Sequence, residues 1–311
     1  MITSKTPFRV SLAGGGTDIK NYYSKYGGQV VSFGINRYVY VTVSKRDDDN
    51  IVVSYSEIEK VKSVSDIKHS IIRECLKEVG ITKGIEIHII SDFSVSSGLG
   101  GSSAVTVGVL NALYNYQGHK WNCVFLADKA CKIEIDILKK CIGKQDQYGS
   151  AMGGLNRIYF EKDGSVPSVS LFRENFFKGK LFLTEAGSGK RVQAENILLI
   201  QNDRFDKNEE ILHKMKEQCG NIVQAIMTDD VYLVKEIINQ GWEYKKQLSP
   251  YITTDIVDKK IDYLLSKGCG AKLCGAGHSG YIMIFNPDGV KLDLPLIPIE
   301  IDTNGSSVIE C

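Results

Sequence analysis

Opposite charges nearly cancel in this sequence. The 38 Lys and Arg stand against 37 Asp and Glu, a formal net charge of +1. With no excess of either sign, the chain lacks the electrostatic footprint of a nucleic-acid or anionic-membrane binder. It also lacks an apolar run long and uncharged enough to cross a bilayer. The opening Met1-Ile2-Thr3-Ser4-Lys5-Thr6-Pro7 has no apolar centre of the kind a secretion signal needs. None of the eight cysteines is spaced as C-x-x-C, and the five histidines are scattered without metal-ligand spacing. Tandem repeats and low-complexity tracts are absent. The expectation is a cytoplasmic protein whose cysteines serve as small hydrophobes, with neither nucleic acid nor membrane as partner.

What is present fits an ordinary globular chain, 43% apolar and 24% charged, and 311 residues suffice for one large or two ordinary domains. β-prone segments crowd the first half: Phe8–Ala13, Gln29–Ile35, Tyr38–Val43, Ile51–Tyr55 and Ile85–Ile90. Helical patterns cover Lys20–Tyr26, Ile67–Val79, Ala104–Tyr116 and, as one long helix, Trp121–Lys140. Leu155–Glu161, Val166–Leu171 and Lys180–Thr184 read as further strands. Helices then dominate from Glu209 to Gln247, with a break near Asp229-Asp230, and again over Asp255–Ser266. This shift in composition suggests two lobes, residues 1–172 and 173–311, with the boundary between Pro167 and Gly179.

The segment around which the rest is arranged is Ser94–Ser103, Ser-Val-Ser-Ser-Gly-Leu-Gly-Gly-Ser-Ser. A strand precedes it and a helix comes after, with Ser102 and Ser103 in position to cap that helix. Gly98, Gly100 and Gly101 let the backbone bend sharply and approach a ligand closely. The first helical N–H groups have no partner within the helix, and the macrodipole adds positive charge there. Strand, glycine loop and helix N-terminus together make an anion site suited to phosphate. It is not a Walker A loop, because no Lys lies between Ser91 and Ser103. It is not a dinucleotide fingerprint, because Ser103 stands where a third glycine is needed. The V-A-I-K, H-R-D and D-F-G segments of protein kinases are missing.

Three carboxylates and one arginine accompany this loop. Arg9 lies inside the first strand, close to the turn Gly14-Gly15-Gly16-Thr17-Asp18, where Asp18 is either a helix N-cap or a ligand group. Glu134 falls within the apolar stripe of the Trp121–Lys140 pattern, where a carboxylate is costly unless it is paired or binds a cation. Asp136, by contrast, falls with Lys129, Lys132 and Lys140 on the polar face and reads as a solvated ion-pair partner. Asp146 comes after Gly143-Lys144-Gln145 in a short polar turn, where a cap is the plainer role.

The stretch Gly98-Leu99-Gly100-Gly101-Ser102-Ser103-Ala104 resembles the ATP loop of the GHMP kinases, the superfamily of galactokinase, homoserine kinase, mevalonate kinase and phosphomevalonate kinase. Glu134, Asp146 and Gly153-Gly154 repeat the order and spacing of that superfamily, and Gly275-Ala276-Gly277-His278-Ser279-Gly280 resembles its third motif, with His278-Ser279 in place of the usual glycines. Ala13-Gly14-Gly15-Gly16-Thr17-Asp18, with Gly143-Lys144-Gln145-Asp146-Gln147, looks most like the bacterial D-glycero-D-manno-heptose 7-phosphate kinases. The resemblance implies an α+β, two-lobed fold: a ribosomal-S5-like lobe plus a ferredoxin-like lobe, with the site between them. It implies ATP and Mg²⁺, a sugar-phosphate substrate, and a monomer or homodimer. Ser97, Gly98, Leu99, Gly100, Gly101, Ser102 and Ser103 would hold the ATP phosphates. Ser102 and Glu134 would bind the metal, with Ser103 as the alternative to Ser102. Asp146 and Arg9 would be catalytic. Gly15, Gly16, Thr17, Asp18, Lys144, Arg191 and Gly277 would contact the sugar, and Lys190 or Arg191 with Arg37 would hold its 7-phosphate. The alternatives are the same chemistry on fucose or a related sugar phosphate, or a sugar sensor without turnover.

Overall fold

In a computed structural model, which describes residues 1–187 and 194–309, the β-prone first half forms one eight-stranded sheet. Its path runs Ser307–Ile309, Ile2–Ala13, Gly28–Lys45, Ile85–Ser91, Ile51–Ser54, Ile58–Val61. Pairing is antiparallel except between Ile51–Ser54 and Ile85–Ser91. The two segments expected at Gln29–Ile35 and Tyr38–Val43 are one continuous strand of 18 residues, Gly28–Lys45. Its second half pairs with Ile85–Ser91 and its first half with Leu155–Phe160, so one strand serves two neighbours. The stretch expected as a strand at Val166–Leu171 is reduced to Ser168–Ser170.

Behind this sheet runs the helix Gly101–Tyr116, thirteen of whose sixteen residues are buried. A helix apolar nearly all round belongs in the interior. This one packs on Ile2–Ala13 and Gly28–Lys45 and is flanked by the helices Ser70–Val79, Cys123–Cys131 and Gln145–Met152. It begins at Gly101, with Gly100 left-handed at its N-cap, so Ser102 and Ser103 lie inside the first turn and do not cap it.

The expected single helix Trp121–Lys140 is an α-helix over Cys123–Cys131, capped by the Asn122 side chain at the N–H of Phe125, and then a π-helical turn over Lys132–Ile137. A π-turn inserts an extra residue per turn and rotates the downstream residues relative to an α-helical wheel. The helix ends at Ile137 and Lys139 is left-handed, so Lys140 lies beyond the helical wheel and its ammonium meets Glu134 rather than the solvated face of Asp136.

A four-stranded sheet forms the second half, ordered Ile297–Pro298, Leu181–Glu185, Tyr281–Phe285, Gly270–Leu273 and antiparallel throughout. The long helices are Phe205–Met227 and Val231–Gln247. They part where expected: Asp229 is left-handed, and Asp230 caps the second helix through the N–H of Leu233. An additional helix, Ala194–Asp203, was not read from the sequence. The chain end then returns to the first sheet, with Thr3 opposite Ile309.

Candidate active site

A cavity of about 720 Å³ is lined by residues of both sheets, Arg9 and Ser11 from the first and Lys272 and Leu273 from the second. One wall is the glycine loop and the start of Gly101–Tyr116. The others are the Gly15–Ile19 turn, the segment Lys140–Asp146, the helix Val231–Gln247, and the turn Gly275–Ser279.

Backbone shape makes the loop wall. Gly98 and Gly100 are left-handed, at φ +82° and +75°. A Cβ on Gly101 would lie 2.3 Å from the carbonyl oxygen of Val95, and one on Gly275 would lie 2.5 Å from the Cα of Gly98. The second and third glycine motifs are therefore packed backbone to backbone. Neither can accept a side chain without moving the other.

Arg9 joins the first strand to this loop. Its N–H donates to the carbonyl of Leu99 at 3.0 Å, and Nη1 donates to the carbonyl of Gly98 at 3.0 Å. Nε and Nη2 both reach Oδ1 of Asp146, each at 2.7 Å. Arg9 is 4% exposed, whereas the Asp146 side chain is 27% exposed. The pair therefore leaves Oδ2 of Asp146 as the oxygen open to a ligand in the cavity. Charge-assisted, nearly planar contacts of this type hold a carboxylate in one orientation.

Glu134 is wholly buried and fully partnered. Ser102 and Ser103 donate their hydroxyls to its two oxygens at 2.6 and 2.8 Å, and Nε2 of Gln147 donates at 2.8 Å. Lys140 Nζ donates to Glu134 at 3.0 Å and to the Ser102 hydroxyl at 2.7 Å. The costly carboxylate of the sequence is thus both paired and placed beside the phosphate loop. Its Oε1 and the Ser102 hydroxyl converge on the Lys140 ammonium, a position of positive charge beside the phosphate loop.

Asp18 is held from two directions. Its Oδ1 accepts from the N–H of Gly16 at 3.0 Å, and its Oδ2 accepts from the N–H of Gln145 at 3.2 Å. It does not cap Lys20–Tyr26, whose N-cap is Ile19 without a side-chain bond. Burial, and then the neighbouring charge of Asp146, push its carboxyl above the ordinary range. A Cβ on Gly143 would sit 1.8 Å from its Oδ2, so only glycine leaves room for this carboxylate.

The family model "GHMP kinases N terminal domain" matches residues 66–154, the span that carries the loop, Glu134 and Asp146. The D-glycero-alpha-D-manno-heptose 7-phosphate kinase of Campylobacter jejuni is 29% identical over 94% of this chain and 91% of its own length. Residues 66–154 thus carry the likeness to a GHMP kinase N-terminal domain, and the chain as a whole is similar to kinases along nearly all its length. The L-fucokinase/L-fucose-1-P guanylyltransferase of Bacteroides fragilis is 25% identical over 93% of the chain, which spans 35% of that larger protein. A solved structure described as a D-glycero-D-manno-heptose 1-phosphate kinase, from Bacteroides thetaiotaomicron, superposes with a TM-score of 0.80 at 22% identity, covering 100% of this chain and 99% of the other. These likenesses support an ATP-dependent phosphotransferase, and the α+β, two-lobed fold is that of the solved kinase structures.

Most of the residues singled out from the sequence converge. Arg9, Gly15, Gly16, Asp18, Gly98, Gly100, Gly101, Ser102, Ser103, Asp146 and Gly277 all line the cavity. Leu99 is buried behind the loop, and Ser97 is buried with its hydroxyl unpartnered among the described residues. Two expectations are redirected. The Thr17 hydroxyl is turned inward, donating to the carbonyls of Gly14 and Gln29 at 2.8 and 2.7 Å, and it braces the turn rather than facing the cavity. Lys144 reaches the carbonyl of Gly164 at 2.8 Å and lies over the Tyr23 ring, away from the cavity. Arg37 donates to the carbonyls of Asn36 and Pro298 and is not among the lining residues. Lys190 and Arg191 lie outside the described residues.

Other lining groups were not singled out in the sequence. Ser11 Oγ and Gln145 Oε1 are buried without a hydrogen-bond partner among the described residues, and both belong to cavity-lining residues. Lys245 and Lys272 line the cavity as well. Lys272 carried a readable signal: it sits in the otherwise apolar Gly270–Leu273 strand, where a charge is as costly as Glu134 is in its helix.

Proposed function

We propose that this protein transfers the γ-phosphoryl group of ATP to the anomeric C1 hydroxyl of D-glycero-D-manno-heptose 7-phosphate. The product would be the 1,7-bisphosphate, on the way to nucleotide-activated heptose. The observation that carries the substrate is the likeness to the Campylobacter jejuni heptose 7-phosphate kinase along 94% of the chain. The site's chemistry agrees with it.

In this reading residues 1–172 are the nucleotide lobe and 173–311 the second lobe, with the last strand returning to the first sheet. The N–H groups of Gly98–Ser103 receive the ATP phosphates, using the free donors of a helix N-terminus. Asp146 accepts the proton of the acceptor hydroxyl through Oδ2 while Arg9 holds Oδ1. An anomeric hydroxyl is more acidic than an ordinary alcohol, so a carboxylate base suffices. The Arg9 guanidinium stands between Asp146 and the loop and so faces the phosphoryl group in transfer, where positive charge on the equatorial oxygens supplies much of the rate. Asp18, Ser11 and Gln145 offer acceptors and a donor to sugar hydroxyls.

Ser102 and Glu134 fit Mg²⁺: both present oxygens, and Lys140 shows that the position favours a cation. An ion held there would supply positive charge that offsets the charge of the phosphates. The described cysteines are free thiols, which suits a reducing cytoplasm.

Steady-state kinetics with a panel of hexoses, hexose phosphates and heptose 7-phosphate, with the phosphorylated carbon read by NMR, tests the assignment. Preference for another sugar, or phosphorylation away from C1, would overturn it. The likeness to L-fucokinase makes fucose the second reading, and the same panel separates the two.

A further inference from the structure

The charges around the cavity do not balance among the described residues. Arg9 is matched by Asp146, and Lys140 by Glu134. Asp18 is held by backbone N–H groups. That leaves Lys245 and Lys272, which arise from different elements, the helix Val231–Gln247 and the strand Gly270–Leu273. Neither pairs with a carboxylate among the described residues. Lys272 is 7% exposed, and its Nζ donates to the carbonyl of Leu12 at 3.0 Å. Lys245 Nζ donates to the carbonyls of Leu273 and Gly275, the first at 3.0 Å. An ammonium has three donors, so one on Lys245 and two on Lys272 remain uncommitted to these carbonyls.

Carbonyl contacts alone do not repay the cost of taking two ammonium groups out of water. Burial holds both lysines well below their ordinary range, Lys245 at about 7 and Lys272 at about 8, and each is further lowered by positive neighbours, Lys272 acting on Lys245 and Arg9 on both. Two like charges gathered without a counter-ion, in a wall of the cavity, call for an anion from outside. That anion is not the ATP tail in its loop, which already has the helix N-terminus, Arg9 and Lys140. The Leu12 carbonyl that anchors Lys272 lies in the first strand just before the glycine turn that holds Asp18, which sets Lys272 toward the acceptor side. Lys245, held by the carbonyls of Leu273 and Gly275, stands between Lys272 and the turn that backs the phosphate loop.

We infer that Lys245 and Lys272 form a second anion subsite that binds the phosphate carried by the sugar substrate, so that this enzyme selects phosphorylated over neutral sugars. The inference rests on the reading of the reaction given above and adds to it the residues that choose the substrate class. Other groups facing the pair are Arg9, Asp146, Cys219 and Cys274.

The test compares Lys245→Gln and Lys245→Arg with the wild type on matched sugars with and without a terminal phosphate: D-glycero-D-manno-heptose 7-phosphate against the free heptose, and mannose 6-phosphate against mannose. Losing one ammonium–phosphate contact should raise the KM for the phosphorylated sugar by about 10- to 100-fold. The KM for ATP and the turnover of the free sugar should stay within about 2-fold, and Lys245→Arg should recover part of the loss. A rise in the KM for ATP, or an equal loss on both members of a pair, would overturn the proposal.

A measurement on the wild type guards against a variant that fails to fold. Titration calorimetry at pH 8 in buffers of different ionisation heat should show uptake of about one proton with heptose 7-phosphate and none with the free heptose, because an anion raises an ammonium pKa. No difference between the two sugars would overturn the proposal. Wild-type preference for a different phosphorylated sugar, with the same dependence on Lys245, would remove the heptose assignment and leave the subsite standing. Equal wild-type turnover with and without the phosphate would remove the subsite.

Discussion

Replacing Asp146 with Asn separates the roles assigned to its two oxygens. Oδ1 accepts two donors from Arg9, and an amide oxygen can accept both, so the geometry should survive. What disappears is the charge opposite a guanidinium that is 4% exposed, together with the base at Oδ2. Removing one partner of a fully buried ion pair costs about 3–5 kcal/mol. Here the carboxylate side is 27% exposed and the hydrogen bonds persist, so the loss should be smaller, about 1–2 kcal/mol. For a chain of this size that lowers the melting temperature by roughly 1.5–3 °C. The chemical step should suffer more, with kcat falling by about 10²- to 10⁴-fold, the usual worth of a positioned general base. The KM for ATP should change little, since Asp146 does not touch the loop. Steady-state kinetics beside thermal melting and nucleotide titration read all three quantities. A folded Asp146→Asn enzyme with kcat within a few-fold of wild type would refute the base assignment. A large loss of ATP affinity would show instead that Asp146 acts by holding Arg9 against the loop.

Gly275→Ala places a methyl group 2.5 Å from the Cα of Gly98 at a left-handed backbone position, so it should raise the KM for ATP and cost about 1–3 kcal/mol of stability; kinetics and melting with unchanged ATP binding would contradict the packing of the two turns. Glu134→Gln leaves Lys140 unpaired and sets an amide against the Gln147 amide, so stability should fall by about 2–4 kcal/mol and the Mg²⁺ needed for half-maximal rate should rise about 10-fold or more; an unchanged Mg²⁺ dependence would move the metal elsewhere. Lys245 and Lys272 titrate lower in the folded than in the unfolded chain. Between about pH 7 and 10 the unfolded state therefore binds more protons, and these lysines make stability rise with pH by up to about 1.4 kcal/mol per unit each. Buried thiols titrate in the opposite sense, so the check is a difference: wild-type stability minus that of Lys245→Met should climb from pH 7 to 10, and a flat difference would show that Lys245 is not desolvated.

Legibility tracked the range of the interaction. The glycine loop was readable because strand, turn and helix N-terminus are consecutive, and an N-terminus exposes its N–H groups wherever it is packed. Glu134 was readable because a carboxylate in an apolar stripe violates a local cost, although its wheel assumed α-helical pitch. The π-turn Lys132–Ile137 broke that assumption, and the helix ended there, so a left-handed Lys139 turns Lys140 back to Glu134 in place of Asp136. Thr17 and Lys144 were misplaced for a related reason: each sits in the expected motif, but its side chain satisfies a nearby carbonyl rather than the cavity.

By itself the sequence determined which segments can bind phosphate, which carboxylates are too costly to be idle, and the order in which they succeed one another. Those are consequences of backbone freedom and desolvation, which act within a few residues. Only the tertiary structure decided which oxygen of Asp146 is left open, which glycine turn backs the loop, and that Lys245 and Lys272 share a wall with Arg9. Residues 9, 98, 146, 245 and 272 are separated by tens to hundreds of positions. A helical or strand period places a charge on a face, but only the opposing element determines whether that face meets water, a carboxylate or a cavity.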